Sequence, residues 1–89
     1  MAVYLVTLDL TRDDKAYRGL TESLKRHTHC QPQAGVWFLD SEAKASQIRD
    51  ELRRHVHPKD GIIVAQLKPQ AAMMGETCHA WLKDRGRSW

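Results

Sequence analysis

The sequence predicts an α+β fold in which an antiparallel sheet carries two helices on one face. Three observations lead there. The runs AVYLVTLDL, VWFL and IIVAQL are rich in β-branched and aromatic residues and apolar at successive positions, as strands buried on both faces are. Residues 12–28 and 42–56, which separate those runs, carry apolar side chains at helical spacing. Between the first helix and VWFL, Pro32 and Gly35 leave room only for a short edge or bent strand over 30–33. The order is therefore β-α-β-β-α-β, followed by a helix. That is the ferredoxin-like arrangement. With 89 residues, 42% of them hydrophobic, the chain is one small domain, its core over 1–69 and its C-terminal helix and tail over 70–89.

Each element has its own local grounds. In the first strand Tyr4, Val6 and Leu8 point one way, Val3, Leu5 and Thr7 the other, and Asp9 ends the second set. Thr11 reads as the N-cap of the first helix, with Asp13 and Asp14 in its first turn. Ala16, Tyr17, Leu20 and Leu24 then face inward, while Asp14–Arg18 and Glu22–Arg26 pair on the surface. Gly19 weakens the middle of this helix by about 1 kcal/mol relative to alanine. It ends near His27–His29. Asp40 and Ser41 are read as capping the second helix, with Ala45, Ile48, Leu52 and Val56 inward and Asp50 paired to Arg54. His57-Pro58-Lys59-Asp60-Gly61 has turn chemistry, and Pro69 stops the strand that follows. A third helix is expected over 71–85, with an interruption at Gly75 and with Cys78, Trp81 and Leu82 inward. Residues 86–89 form a tail.

Two helices cover one face of such a sheet, yet its strands are apolar on both. The second face calls for the C-terminal helix or a second copy of the chain, and the expectation is a homodimer unless that helix supplies the cover. No apolar run approaches the roughly 20 residues of a membrane span. No basic leader precedes the first strand, so a cytoplasmic protein is expected. Cys30 and Cys78 match no disulfide framework and are expected as two reduced thiols.

The alternation of strand directions brings Asp9, Asp13, Asp14, His55 and His57 to one end of the fold, and His27 and His29 to the other. Asp9 has three readings. It anchors Mg²⁺ or Mn²⁺, it is solvated at the rim, or it accepts bonds from N–H groups at the start of the next helix. One carboxylate per chain is few for a metal site, and a symmetric dimer would double it. The histidine spacings match no standard zinc pattern. The net charge is +3, and nine of the fourteen basic side chains lie in residues 41–89. Lys15, Arg18, Arg49, Arg53 and Arg54 form either a phosphate-binding stripe or a solvated helix surface.

The segment VTLDLTRDDKAYRGL resembles the opening strand and helix of the small CRISPR-associated endonucleases, the dimeric subunit of the spacer-acquisition complex. QAGVWFLDS and KDGIIVAQL are similar to two further strands of that family, and VapD-type toxins share its architecture. From Asp40 onward, SQIRDEL, GIIVAQL and AAMMGETCHAWLKD resemble short SinR-like proteins more closely. The resemblance implies a ferredoxin-like homodimer with two Asp9 side chains facing each other, and in catalytic members a divalent metal between them. The expected helix after the last core strand departs from the family, which places a strand there. Two functions follow from the resemblance. One is a non-catalytic relative, a dimeric module binding nucleic acid or protein; the alternative is a metal-dependent endonuclease of RNA or DNA using Asp9.

Overall fold

The structure is a computed structural model, and it describes residues 2–68 and 78–84. Four strands form one antiparallel sheet: β1 (Ala2–Asp9), β2 (Thr28–Gln33), β3 (Val36–Ser41) and β4 (Gly61–Gln66). Their order across the sheet is β2-β3-β1-β4, so the first strand is central and flanked by β3 and β4. Two helices, α1 (Arg18–Lys25) and α2 (Ala45–Arg53), complete the ferredoxin-like βαββαβ unit. A five-residue helix, α3 (His79–Lys83), follows. The expected third helix over 71–85 is thus seen for its last turns; 71–77 and 85–89 lie outside the described residues.

Period-two alternation splits β1 between two clusters. Tyr4 and Val6 pack with Tyr17, Leu20 and Leu24 of the α1 segment, Ile48 and Leu52 of α2, and Trp37 and Leu39 of β3. Both long helices therefore cover the same face, as the pattern predicts. Val3 takes the opposite side and packs with Phe38, Cys78 and Leu82, with Leu5, Leu67 and Trp81 around them. The Phe38 and Trp81 rings stack with centroids 6.4 Å apart. α3 thus supplies cover for the second face at one end of β1. Toward the other end Ile63, which stands opposite Thr7, is 63% exposed.

The cysteines depart from expectation. They are not two thiols. Cys30 on the edge strand β2 and Cys78 at the N-terminus of α3 form a disulfide, with their Cα atoms 5.9 Å apart. The packing of α3 across the second face brings together residues 48 positions apart, which no local spacing reveals.

The helix ends also differ. Thr11 does not cap α1; a 3-10 turn over Asp14–Tyr17 precedes a helix that starts only at Arg18. Ala16 is consequently exposed. α2 begins at Ala45, where the Gln47 side chain accepts the Lys44 N–H at 2.7 Å. Ser41 serves just upstream, accepting the Ala43 N–H, while Asp40 is buried in β3 rather than capping the helix. Asp50 pairs with its neighbour Arg49 at 2.9 Å instead of Arg54. A Cβ at Gly19 would lie 2.8 Å from the ring of His55, just past the end of α2, so that exposed ring would have to shift. Gly35 turns the β2–β3 hairpin at φ 72°, and its carbonyl accepts the Leu8 N–H at 2.7 Å. Register shifts between Cys30 and Gln33, around Pro32, as expected for an edge strand bent there.

Ile48 is fully buried between α2 and the sheet. Ile48→Ala should destabilise the domain by about 2–5 kcal/mol through lost burial and a residual cavity. Calorimetry should show this as a fall in Tm of more than ~8 °C.

Candidate functional site

The chemistry gathers at the end where β1 finishes, α1 begins and β4 starts. Its centre is Asp60, in the turn that the sequence marks with Pro58 and Gly61. The Asp60 N–H donates to the His57 carbonyl at 2.9 Å, closing the turn. Its carboxylate then accepts four hydrogen bonds. Oδ1 takes the Thr11 N–H at 2.8 Å and the Thr11 hydroxyl at 2.6 Å. Oδ2 takes the Tyr17 hydroxyl at 2.8 Å and the His57 N–H at 2.8 Å. The Tyr17 oxygen in turn accepts the Arg12 N–H at 3.1 Å.

Partial burial pushes the Asp60 carboxyl up, but the bonds from the Thr11 hydroxyl, the His57 and Thr11 N–H groups and the Tyr17 hydroxyl outweigh it. They hold the acid well below the usual carboxylate range. Asp60 thus plays the part that one reading gave to Asp9, a carboxylate receiving N–H groups near the start of the first helix. The Asp-Gly pair behind a proline was the available signal, and turn chemistry alone explained it fully.

Asp9 itself is exposed at the end of β1, opposite Gly61. The Asp60 turn and the first helical turn lie at the same end of the fold as Asp9. Even so, no group of three or more His, Cys, Asp or Glu side chains among the described residues is placed to hold a metal ion. His27 and His29 lie against protein groups. His29 Nδ1 bonds the His27 carbonyl at 2.8 Å, so that nitrogen carries the proton. His27 Nε2 lies 3.4 Å from Glu51 Oε2, and Glu51 Oε1 accepts the Ser23 hydroxyl at 2.8 Å, joining α1 to α2.

Four of the five basic residues divide into two pairs, and Arg54 lines neither hollow. Arg49 and Arg53 are one helical turn apart on α2 and line a cleft of about 340 Å³ with His57 and Asp60, above an apolar floor of Val56, Pro58 and Ile62. Lys15 and Arg18 line a separate, shallower depression on α1 with Asp14 and Glu22. Each pair therefore lines its own hollow. In the α2 cleft, His57 Nδ1 accepts the Lys59 N–H at 3.2 Å, which leaves Nε2 as the protonated donor of the neutral ring. Arg49 is held by Asp50, whereas Arg53 forms no side-chain hydrogen bond or ion pair among the described residues.

Among the described residues no helix is long and apolar enough to cross a membrane. Compared with known proteins, the chain matches no family model and no curated protein.

The folded Asp60 carboxyl ionises below its ordinary value of 3.8, so the native state binds its proton less readily than the unfolded chain does. Its contribution to stability is complete above about pH 4 and declines as pH falls toward the lowered native value. Asp60→Asn replaces one acceptor oxygen with an N–H₂ group that faces donors. The variant should melt below wild type at neutral pH, and the gap should narrow as pH is lowered from about 5 to 2. A gap that stays constant over that range would show that ionised Asp60 does not hold the joint.

Proposed function

We propose that the chain is a non-catalytic, nucleic-acid-binding module that works as a homodimer in the cytoplasm, a relative of the small CRISPR-associated endonucleases closest to SinR-like proteins. The observation that carries the binding reading is the α2 cleft. Arg53, with no acidic partner among the described residues, stands one helical turn from Arg49, and both face a volume of about 340 Å³. Guanidinium groups suit phosphate oxygens because their N–H donors form a planar fork. The His57 Nε2–H adds a neutral donor, and the apolar floor offers a surface for a sugar or base.

Lys15 and Arg18, on the other helix, contribute long-range attraction rather than contacts in this cleft. The homodimer is supported by exposed Ile63 on the second face of the sheet, which α3 covers only toward the far end. Protein partners remain an outcome of the binding test. They are the reading to adopt if no nucleic acid binds at low salt.

Binding of a labelled single-stranded oligonucleotide tests the cleft. A contact to two phosphates should lose roughly sevenfold in affinity as salt rises from about 50 to 200 mM. Arg49→Ala with Arg53→Ala should weaken binding at low salt and flatten that dependence, while Lys15→Ala with Arg18→Ala should have the smaller effect. Equal effects from both pairs would reduce the cleft to general surface charge.

Asp9→Asn addresses the endonuclease alternative. The exposed Asp9 carboxylate accepts no hydrogen bond among the described residues, so the substitution should leave Tm within about 2 °C of wild type. Incubation with RNA or DNA and Mg²⁺ or Mn²⁺ should yield no cleavage by either protein. Cleavage by wild type that disappears in Asp9→Asn would replace the binding-module proposal with the enzyme.

A further inference from the structure

We infer that the Cys30–Cys78 disulfide is a reversible latch, whose thiol exchange releases α3 and uncovers the second face of the sheet. Three features favour release of α3 over unfolding of the domain. First, the bond lies outside the framework. It joins an edge strand to a helix that pairs with no strand, while the ladders of β1 with β3 and β4 do not involve it. The helix-side cluster of Tyr4, Val6, Leu20, Leu24, Ile48 and Leu52 lies on the other face.

Second, α3 cannot hold itself. Its five residues are far below the length at which a helix persists alone, and no side-chain bond caps its N-terminus. Among the described residues, the disulfide and the contacts of Leu82 and Trp81 with Val3 and Phe38 tie it to the sheet. Third, the bond is approachable from one side. Cys78 is fully buried, whereas Cys30 keeps partial solvent contact on the sheet's edge.

The chemistry follows from that asymmetry. A thiolate attacks Cys30 Sγ, forms a mixed disulfide there and expels the Cys78 thiolate, which takes up a proton. A second thiol resolves the mixed disulfide. Cys30 becomes a thiol and the reductant leaves as its own disulfide, two electrons having passed to the protein. Closure is the reverse exchange, with a small-molecule disulfide as oxidant. In a reducing compartment such bonds are usually transient or redox-sensing. That setting rests on the cytoplasmic proposal above, but the exchange itself does not.

Hydrogen–deuterium exchange on the full-length chain tests the latch. Three samples are compared: protein oxidised with glutathione disulfide, the same protein reduced with dithiothreitol, and the Cys30→Ser/Cys78→Ser double variant. Reduction should accelerate exchange over residues 79–83 by about tenfold or more and leave β1 and β3 within about twofold. The double variant should match the reduced protein and ignore dithiothreitol. Unchanged protection of 79–83 on reduction would overturn the inference, because packing alone would then hold α3. So would parallel loss of protection in the sheet, which would make the bond a staple of the whole fold. Two titratable thiols remaining after glutathione disulfide treatment would overturn it as well. None of these readouts uses nucleic acid, so failure here leaves the binding proposal standing, and the converse also holds.

Discussion

The need to cover β1 on both of its faces places most of the other elements. Val3 and Val6 are both fully buried, yet they point in opposite directions from the same strand. A central strand of this kind needs a packing layer on each side. α1 and α2 supply one, because the crossovers from β1 to β2 and from β3 to β4 both return over the same face. The βαββαβ connections leave nothing for the other face. In the described structure its cover comes from the chain's end, where Leu82 and Trp81 meet Val3, Leu5 and Phe38. The disulfide makes that cover a bonded one. Its stabilisation comes mainly from limiting the freedom of the unfolded chain.

A second constraint acts at the rim. The connections leaving β1 and leaving α2 both arrive beside β4, and each brings backbone N–H groups that no ladder satisfies. Asp60 answers for two of them, from Thr11 and His57, and adds the hydroxyls of Thr11 and Tyr17. One carboxylate therefore fixes the first connection to the second. Because His57 lies in the same turn, this joint also sets the end wall of the α2 cleft. Asp60 spends its four acceptor positions on the loop, so the donors of Arg53 and His57 remain available to a ligand.

β1 and β3 were legible in the sequence because burial on both faces writes itself as a continuous apolar run, whereas β4, equally apolar in sequence, is an edge strand with Ile63 exposed. Their order followed from the alternation with two amphipathic segments. Helix starts were less legible, since Thr11 and Asp40 have the residue types of caps but are engaged elsewhere, one by Asp60 and the other inside β3. Asp9 is a charge that closes the first apolar run. Asp60, in a turn that needed no further explanation, holds the rim together. Its importance depends on Thr11 and Tyr17, 49 and 43 residues away in sequence. The disulfide was illegible for a similar reason: its geometry exists only once α3 has crossed the sheet. Arg49 and Arg53 could be paired from their helical spacing, but their separation from Lys15 and Arg18 required the packing of two helices.

The cleft and the latch lie on opposite sides of the sheet, and this separation limits how one could influence the other. Arg49, Arg53 and His57 belong to the helix layer, whereas Cys78 and Leu82 belong to the second layer. No side chain of the Cys78 cluster lines the cleft, and between the layers β1 pairs with β3 over Ala2–Thr7 and with β4 over Tyr4–Asp9. Opening the latch would therefore leave the geometry of a single cleft intact. It would instead enlarge the apolar surface that already includes Ile63, adding Val3, Leu5 and Phe38. Apolar surface of that extent favours association. Any effect of redox state on ligand binding would then run through the number of clefts held together, as a change in avidity, and not through the affinity of one cleft.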